Sequence, residues 1–282
     1  MLDLQLKSAF LVPFFGELPA YFPFWAKSCE FNHPNFHWFV YNDRITESKA
    51  LNPAVTLIPY QFEQMVADFK QRLDINIPGH FLRRVCDYRL MFYFLRHDKE
   101  NLDRYDFIGF TDMDLVYGRL LGCMPEDMNS YSMISADNDR PCGPFTLINR
   151  SQLHALKEYK YIKKHMEPKE HRTFNESKEL LQVVSGTLPP YCRVDLLQPT
   201  MTRGVSNTKV YAIWEKGKVT IYDIYFNRLE AGFFHFSRYK DKKRFVIDAD
   251  ALHHDRWGVF KFGITGFTSR WNRTKMNLSL LI

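Results

Sequence analysis

The first third of the chain alternates between apolar, strand-like runs and amphipathic, helix-like runs, and nothing else in the sequence restricts the fold as much. Ser8 to Phe15 reads as a buried strand ending in a Pro/Gly loop. Pro19 to Phe31 reads as a helix, with Pro near its start where a missing N–H costs little. Phe36 to Tyr41 is a second strand, stopped by Asn42-Asp43. Val55 to Pro59 is a third, followed by a helix from Gln61 to Arg72. After a Pro78-Gly79 break, His80 to His97 reads as one more helix, and Tyr105 to Phe110 as a strand that runs into Asp112. Strand and helix in this order imply parallel strands joined by right-handed crossovers. Such sheets bind ligands beyond the carboxyl ends of their strands. Here those ends carry Pro13-Phe14-Phe15, Tyr41-Asn42-Asp43 and Asp112.

The pattern changes after Asp114. Ser130 to Ser135 and Pro144 to Ile148 look like strands around a polar loop, and Ser151 to Tyr159 and Ser177 to Val184 look helical. Val210 to Trp214 and Val219 to Tyr225 flank Glu215-Lys216-Gly217-Lys218, which reads as a β-hairpin. Phe233 to Phe236 is a further short strand. The expected organisation is one α/β domain over residues 1–247, with a mixed, mainly parallel sheet flanked by helices, and an aromatic and basic annex over 248–282. A chain of 282 residues with 45% hydrophobic content has the core for this.

Composition narrows the partners. A net charge of +6 is too mild to call for nucleic acid, and it suits a phosphate-bearing ligand or an anionic membrane face. The five cysteines are widely spaced with no CxxC pair, which argues against a disulfide framework and a zinc knuckle and for a reducing, cytoplasmic compartment. No apolar run approaches the length of a membrane span. Ser-His-Asp signatures, a Walker loop, Gly-x-Gly-x-x-Gly and His-Glu-x-x-His are all missing.

The chemistry gathers at Thr111-Asp112-Met113-Asp114. Two carboxylates two positions apart at the end of an apolar strand suit Mn²⁺ or Mg²⁺, which take one or two protein carboxylates together with substrate phosphate oxygens. Alone, an Asp-x-Asp is a common polar turn. The strand before it and Tyr117-Gly118 after it favour a site.

These residues resemble the Asp-x-Asp region of GT-A glycosyltransferases. More narrowly, Arg84-Val85-Cys86-Asp87-Tyr88-Arg89, followed by Tyr105-Asp106-Phe107-Ile108-Gly109-Phe110-Thr111-Asp112-Met113-Asp114-Leu115-Val116-Tyr117-Gly118, is similar to a family of bacterial capsule and surface-polysaccharide glycosyltransferases. The family pattern carries Trp at the place of Ile108 and Lys at the place of Arg84. The likeness covers roughly the first 150 residues well and the remainder thinly. It implies a GT-A-like fold and transfer from a nucleotide-diphosphate sugar, with a UDP-sugar favoured, to a glycan or lipid-linked acceptor. It also implies residue roles. Asp112 and Asp114 would hold the metal. Val12, Pro13 and Phe14, with Tyr41, Asn42 and Asp43, would bracket the nucleobase and ribose. Arg84, Asp87 and Arg89 would lie near the diphosphate or donor sugar, against the alternative that Arg84 and Asp87 are a helix surface pair. His235 would complete the metal shell with Lys240 near the diphosphate, or else be a core histidine.

Two carboxylates are candidates for catalysis. Glu176 precedes a helix in Phe174-Asn175-Glu176, where the family form is Phe-Asp-Glu, and a carboxylate there could equally serve the helix macrodipole. Asp137 lies in the polar loop that would line the acceptor. A retaining transfer needs no base, so the stereochemistry stays open. Trp257, Phe260, Phe267, Trp271 and the nearby Arg270, Arg273 and Lys275 suit either packing on the domain or peripheral contact with the inner membrane face. Two rival functions remain. A sugar nucleotidyltransferase would carry a Gly-rich, basic loop after the first strand, which Val12-Pro13-Phe14-Phe15-Gly16 does not supply. A non-catalytic glycan-binding module would bind sugar without metal.

Overall fold

The computed structural model describes residues 6–78, 84–136, 140–168, 173–184, 192–193, 211–222, 228–236, 245–260 and 265–268. In chain order the strands are β1 (Ser8–Pro13), β2 (Phe36–Asn42), β3 (Lys49–Asn52), β4 (Val55–Pro59), β5 (Phe107–Phe110), β6 (Leu115–Tyr117), β7 (Met133–Ser135), β8 (Thr146–Asn149), β9 (Cys192–Arg193), β10 (Tyr211–Glu215), β11 (Lys218–Tyr222), β12 (Arg228–Ala231), β13 (Phe233–His235), β14 (Phe245–Ile247), β15 (Arg256–Phe260) and β16 (Thr265–Thr268). The α-helices are α1 (Phe22–Glu30), α2 (Phe62–Leu73), α3 (Val85–Tyr88), α4 (Phe92–Arg96), α5 (Leu153–Glu158), α6 (Ile162–Met166) and α7 (Lys178–Val184). The chain forms two compact units. One comprises Met1–Leu18, His33–Asp112 and Pro125–Val194; the other comprises Pro19–Asn32, Met113–Met124 and Asp195–Ile282.

The first unit is built on an eight-stranded sheet in the order β3-β4-β2-β1-β5-β8-β7-β9. β1 is buried from Ser8 to Val12, the continuous burial expected of a strand inside a parallel sheet. It pairs in parallel with β2 from Ser8↔Phe36 to Pro13↔Tyr41 and with β5 from Ser8↔Phe107 to Phe10↔Gly109. β2 pairs in parallel with β4. The alternation therefore produced the parallel run it implied, and the sheet is mixed and mainly parallel. The strand order reverses at β1, with β2 on one side and β5 on the other, so the carboxyl ends of β1 and β5 flank a crevice of the kind that binds ligands. Helix α2 buries Phe62, Met65 and Phe69, one stripe at helical spacing, and ends at Asp74 in the left-handed region at φ 52°.

Two expectations are corrected here. β3 was not read from the sequence; it is an antiparallel edge strand with a bulge between Ala50 and Asn52, and Lys49 to Leu51 are exposed. Such short, charged and irregular edges resist pairing with other chains and carry little periodic signal. The expected helix from His80 to His97 is broken within its described part. A 3₁₀ turn at Arg89-Leu90-Met91 separates α3 from α4. Arg84, Asp87 and Arg89 are all buried along this stretch, so its geometry serves polar partners that periodicity does not register.

In the second unit, β12-β11-β10-β15-β16-β14 form a six-stranded sheet, and β6 and β13 form a separate antiparallel ladder. The expected hairpin is present, with β10 and β11 joined at Lys216 and Gly217, whose φ values are 46° and 77°. Two consecutive positive φ values match the strand twist across a two-residue turn. Trp257 is buried and stacks on Trp214 at 4.4 Å and 8°. Within the stretch read as an aromatic and basic annex lie β15, which pairs along β10, and β16. The exposed His253, His254 and Asp255 close a 3₁₀ turn ahead of β15. Among the described residues no helix is long and apolar enough to cross a membrane.

Candidate metal and donor site

β5 is buried throughout, and it delivers Thr111 and Asp112 to the crevice at the sheet's carboxyl edge. Thr111 Oγ1 donates to the carbonyl of Pro144 at 2.6 Å, which ties this strand end to the loop before β8. Asp112 keeps 27% of its side chain exposed, and its Oδ1 accepts from Arg89 Nη1 at 2.9 Å. Arg89 is 5% exposed and lies over the Phe110 ring at 4.5 Å. Its Nη1 also reaches the Thr111 carbonyl at 3.1 Å. A guanidinium fits such a place because it is weakly hydrated, stacks on rings and offers a planar fork.

Glu176 joins this cluster. A Cβ added at Gly143 would stand 2.5 Å from Glu176 Oε1, 3.0 Å from Asp112 Oδ2 and 3.1 Å from Arg89 Nη2. Only glycine leaves room for three charged groups to converge there. Burial pushes the Glu176 carboxyl above the usual range. Arg89 and the Gly143 backbone act against that rise, while Asp112 adds to it. Asn175 is buried beside it. The amide orientation that satisfies both neighbours donates to Asp87 Oδ1 at 3.1 Å and accepts from Arg89 Nη2 at 3.0 Å.

Asp114 lies just before β6 and His235 ends β13. The antiparallel register sets His235 opposite Leu115, so the two side chains meet, with His235 Nε2 3.1 Å from Asp114 Oδ1. Both are mostly buried, at 12% and 7% side-chain exposure. Only Met113 separates Asp112 from Asp114, so the covalent chain itself keeps the second carboxylate within reach. Asp114 and His235 thus offer a carboxylate and an imidazole side by side within the second unit, a mixed O/N pair that fits Mn²⁺ or Mg²⁺ and leaves positions for phosphate oxygens.

The other expected site residues are placed less uniformly. Val12, Tyr41 and Asn42 are buried. Tyr41 is a core residue, packed on Phe92 at 5.2 Å and Tyr60 at 5.8 Å, and it is corrected from a base-bracketing role. Asn42 shapes the loop after β1 by donating to the carbonyls of Phe14 at 2.6 Å and Gly16 at 2.9 Å. Asp43 accepts from the Gly16 N–H at 2.6 Å. Pro13 and Phe14, at the end of β1, and Asp43, just after β2, remain partly exposed. Arg84 is 1% exposed and donates to the carbonyls of His165 at 2.6 Å and Met166 at 3.2 Å, closing the end of α6. Its pair with Asp87, at 3.5 Å, is therefore buried rather than a helix surface pair. Asp137 and Lys240 lie outside the described residues. Sequence reasoning missed Gly143 and the bridging role of Asn175. The only local hints were a glycine before Pro144 and an amide in the place of the family's Asp.

The chain thus carries an α/β sheet whose β5 runs into Asp112, and a second unit in which Asp114 pairs with His235. Residues 10–264 match a family of unknown function (DUF6625), and the chain belongs to that family. Similar solved structures include an active-site mutant of LgtC, at 14% identity and a TM-score of 0.37, and the galactosyltransferase LgtC in complex with donor and acceptor sugar analogs, at 15% and 0.37. Each likeness covers 66% of this chain and 72% of the other. No curated protein matches.

Proposed function

We propose that this protein is a metal-dependent glycosyltransferase that takes a sugar from a nucleotide-diphosphate donor, with a UDP-sugar favoured, and passes it to a glycan or lipid-linked acceptor of a bacterial surface polysaccharide. The observation that carries this reading is the Asp112-Met113-Asp114 motif at the end of β5, with His235 bonded to Asp114. A bound Mn²⁺ or Mg²⁺ would supply Lewis-acid stabilisation of the leaving diphosphate. Arg89 holds Asp112 in a fixed orientation and keeps a permanent positive charge beside the place where negative charge develops. Pro13 and Phe14 at the end of β1, with Asp43 just after β2, are partly exposed and present the surface for the nucleoside. Glu176, whose proton affinity burial has raised, is the carboxylate set to take the acceptor hydroxyl's proton in an inverting transfer. The loop after β1 has no Lys or Arg between Val12 and Gly16, which weighs against a nucleotidyltransferase.

The test is a thermal-shift panel of UDP, GDP, CDP and their sugars, with and without Mn²⁺. A ligand at about a hundred times its Kd stabilises by about 2.7 kcal/mol. A Mn²⁺-dependent shift with one nucleotide, absent in the Asp112→Asn, Asp114→Asn double variant, is the expected result. Sugar binding that ignores metal and survives the double substitution would replace the transferase with a glycan-binding module.

A further inference from the structure

The cluster around Asp112 holds more charge than the metal motif requires. Arg84 and Arg89 contribute two positive charges, and Asp87, Asp112 and Glu176 contribute three negative ones, for a net of −1 (2 − 3). Arg84, Asp87 and Arg89 are each 5% exposed or less, so water does little to screen them. One neutral residue links the two arginine–carboxylate pairs. Asn175, 1% exposed, gives its N–H to Asp87 at 3.1 Å and its oxygen to Arg89 Nη2 at 3.0 Å. Arg89 Nη1 in turn holds Asp112 Oδ1 at 2.9 Å. The result is a buried relay, Arg84–Asp87–Asn175–Arg89–Asp112, in which the amide is the only uncharged member.

We infer that Asn175 is a positioning residue, one that fixes the Arg89 guanidinium on Asp112 and so presents the other oxygen of Asp112, Oδ2, to the metal. The inference deepens the metal-dependent reading above and rests on it for its consequence, though not for its geometry. An amide suits this position because it donates on one side and accepts on the other. A carboxylate here would face Asp87 across 3.1 Å as a like charge, and it would compete with Asp112 for the one guanidinium. Arg89 has little freedom to compensate for a lost partner. Its Nε is already buried without a hydrogen bond, so removing Asn175 leaves a second orphaned edge and favours rotation away from Asp112. The effect on chemistry passes through Arg89 and Asp112. Partners that orient a metal ligand in this way typically govern affinity by about 10- to 100-fold.

The experiment compares the full chain with Asn175→Ala in two measurements. The first is the low-temperature ¹⁵N spectrum of arginine side chains in metal-free protein, with the Arg89 signals assigned by their loss in Arg89→Lys. The second is Mn²⁺ affinity by electron paramagnetic resonance, taken well below the melting temperature of both proteins. The expected result is that restrained Arg89 Nη signals are present in the parent and lost in Asn175→Ala, together with about a tenfold loss of Mn²⁺ affinity. Arg89 signals that stay restrained in Asn175→Ala overturn the inference. So does a freed Arg89 with unchanged Mn²⁺ affinity, which would make Asn175 a structural residue only. If the parent binds no Mn²⁺, the metal-dependent reading fails, and the spectra alone decide whether Asn175 holds Arg89. Should Asn175→Ala not fold, Asn175→Ser replaces it, since a serine hydroxyl keeps a donor near Asp87 but falls short of Arg89.

Discussion

The two aspartates of Asp112-Met113-Asp114 stand in different surroundings, although one residue separates them. Asp112, more than a quarter exposed, is held by the buried guanidinium of Arg89, a charge that no ordinary pH removes. Asp114, almost fully buried, is held by the imidazole of His235, which can give up its charge and act as a ligand itself. The first arrangement orients a carboxylate and supplies a fixed cation. A motif that looks symmetric in sequence therefore has one carboxylate held by a fixed cation and one held by an imidazole, and substitutions should treat the two unequally.

The largest difference is expected between the single amides in metal-free protein. Asp112→Asn takes from the buried Arg89 the carboxylate it bonds at 2.9 Å, and should cost about 2–3 kcal/mol in urea unfolding. Asp114→Asn keeps a hydrogen-bonding partner for His235 and should cost about 1 kcal/mol or less. Equal losses would break the contrast. A histidine without a carboxylate sharpens it further. His37 faces the Thr56 hydroxyl at 2.9 Å, and burial, with Arg104 and His33 adding to it, lowers its pKa from 6.5 to about 4. The unfolded chain then binds the proton that the native state refuses. Stability should fall as pH drops from about 6.5 toward 4, on the order of 1–3 kcal/mol in all, and His37→Gln should flatten that slope in pH-resolved denaturation. The smallest effect belongs to the hairpin. Gly217→Ala forces a side chain onto φ 77° and against Phe31 at 2.6 Å, for a loss of about 1–2 kcal/mol. Because that turn is a local feature, Mn²⁺ affinity measured on the folded variant should not move.

Much of this was legible in the residues. Side-chain period and turn residues are local properties, so the parallel set β1, β2, β4 and β5, the amphipathic α2 and the Lys216-Gly217 hairpin all followed from spacing. The carboxylate pair at the end of β5 was equally visible. Illegible were the short edge strand β3, which has no apolar period, and the break at Arg89 within the stretch read as one helix. That break sits where buried polar groups must find partners, and no window of sequence contains those partners. Tyr41 makes the same point from the other side: at the end of a strand it read as a ligand contact, yet packing against Phe92 and Tyr60 made it core.

By itself, then, the chain determined which residue types line up along each strand and that two carboxylates end one of them. Only the tertiary structure decided what holds each carboxylate. Arg89 comes from 23 positions before Asp112, and His235 from 121 positions after Asp114. Asn175 enters between Asp87 and Arg89 through an amide orientation that only its neighbours define. The physical reason is one of range. Backbone propensity and side-chain period act over a few residues, whereas the pairing of buried charges is settled by sheet register and by the need to leave no ion without a partner once water has been excluded.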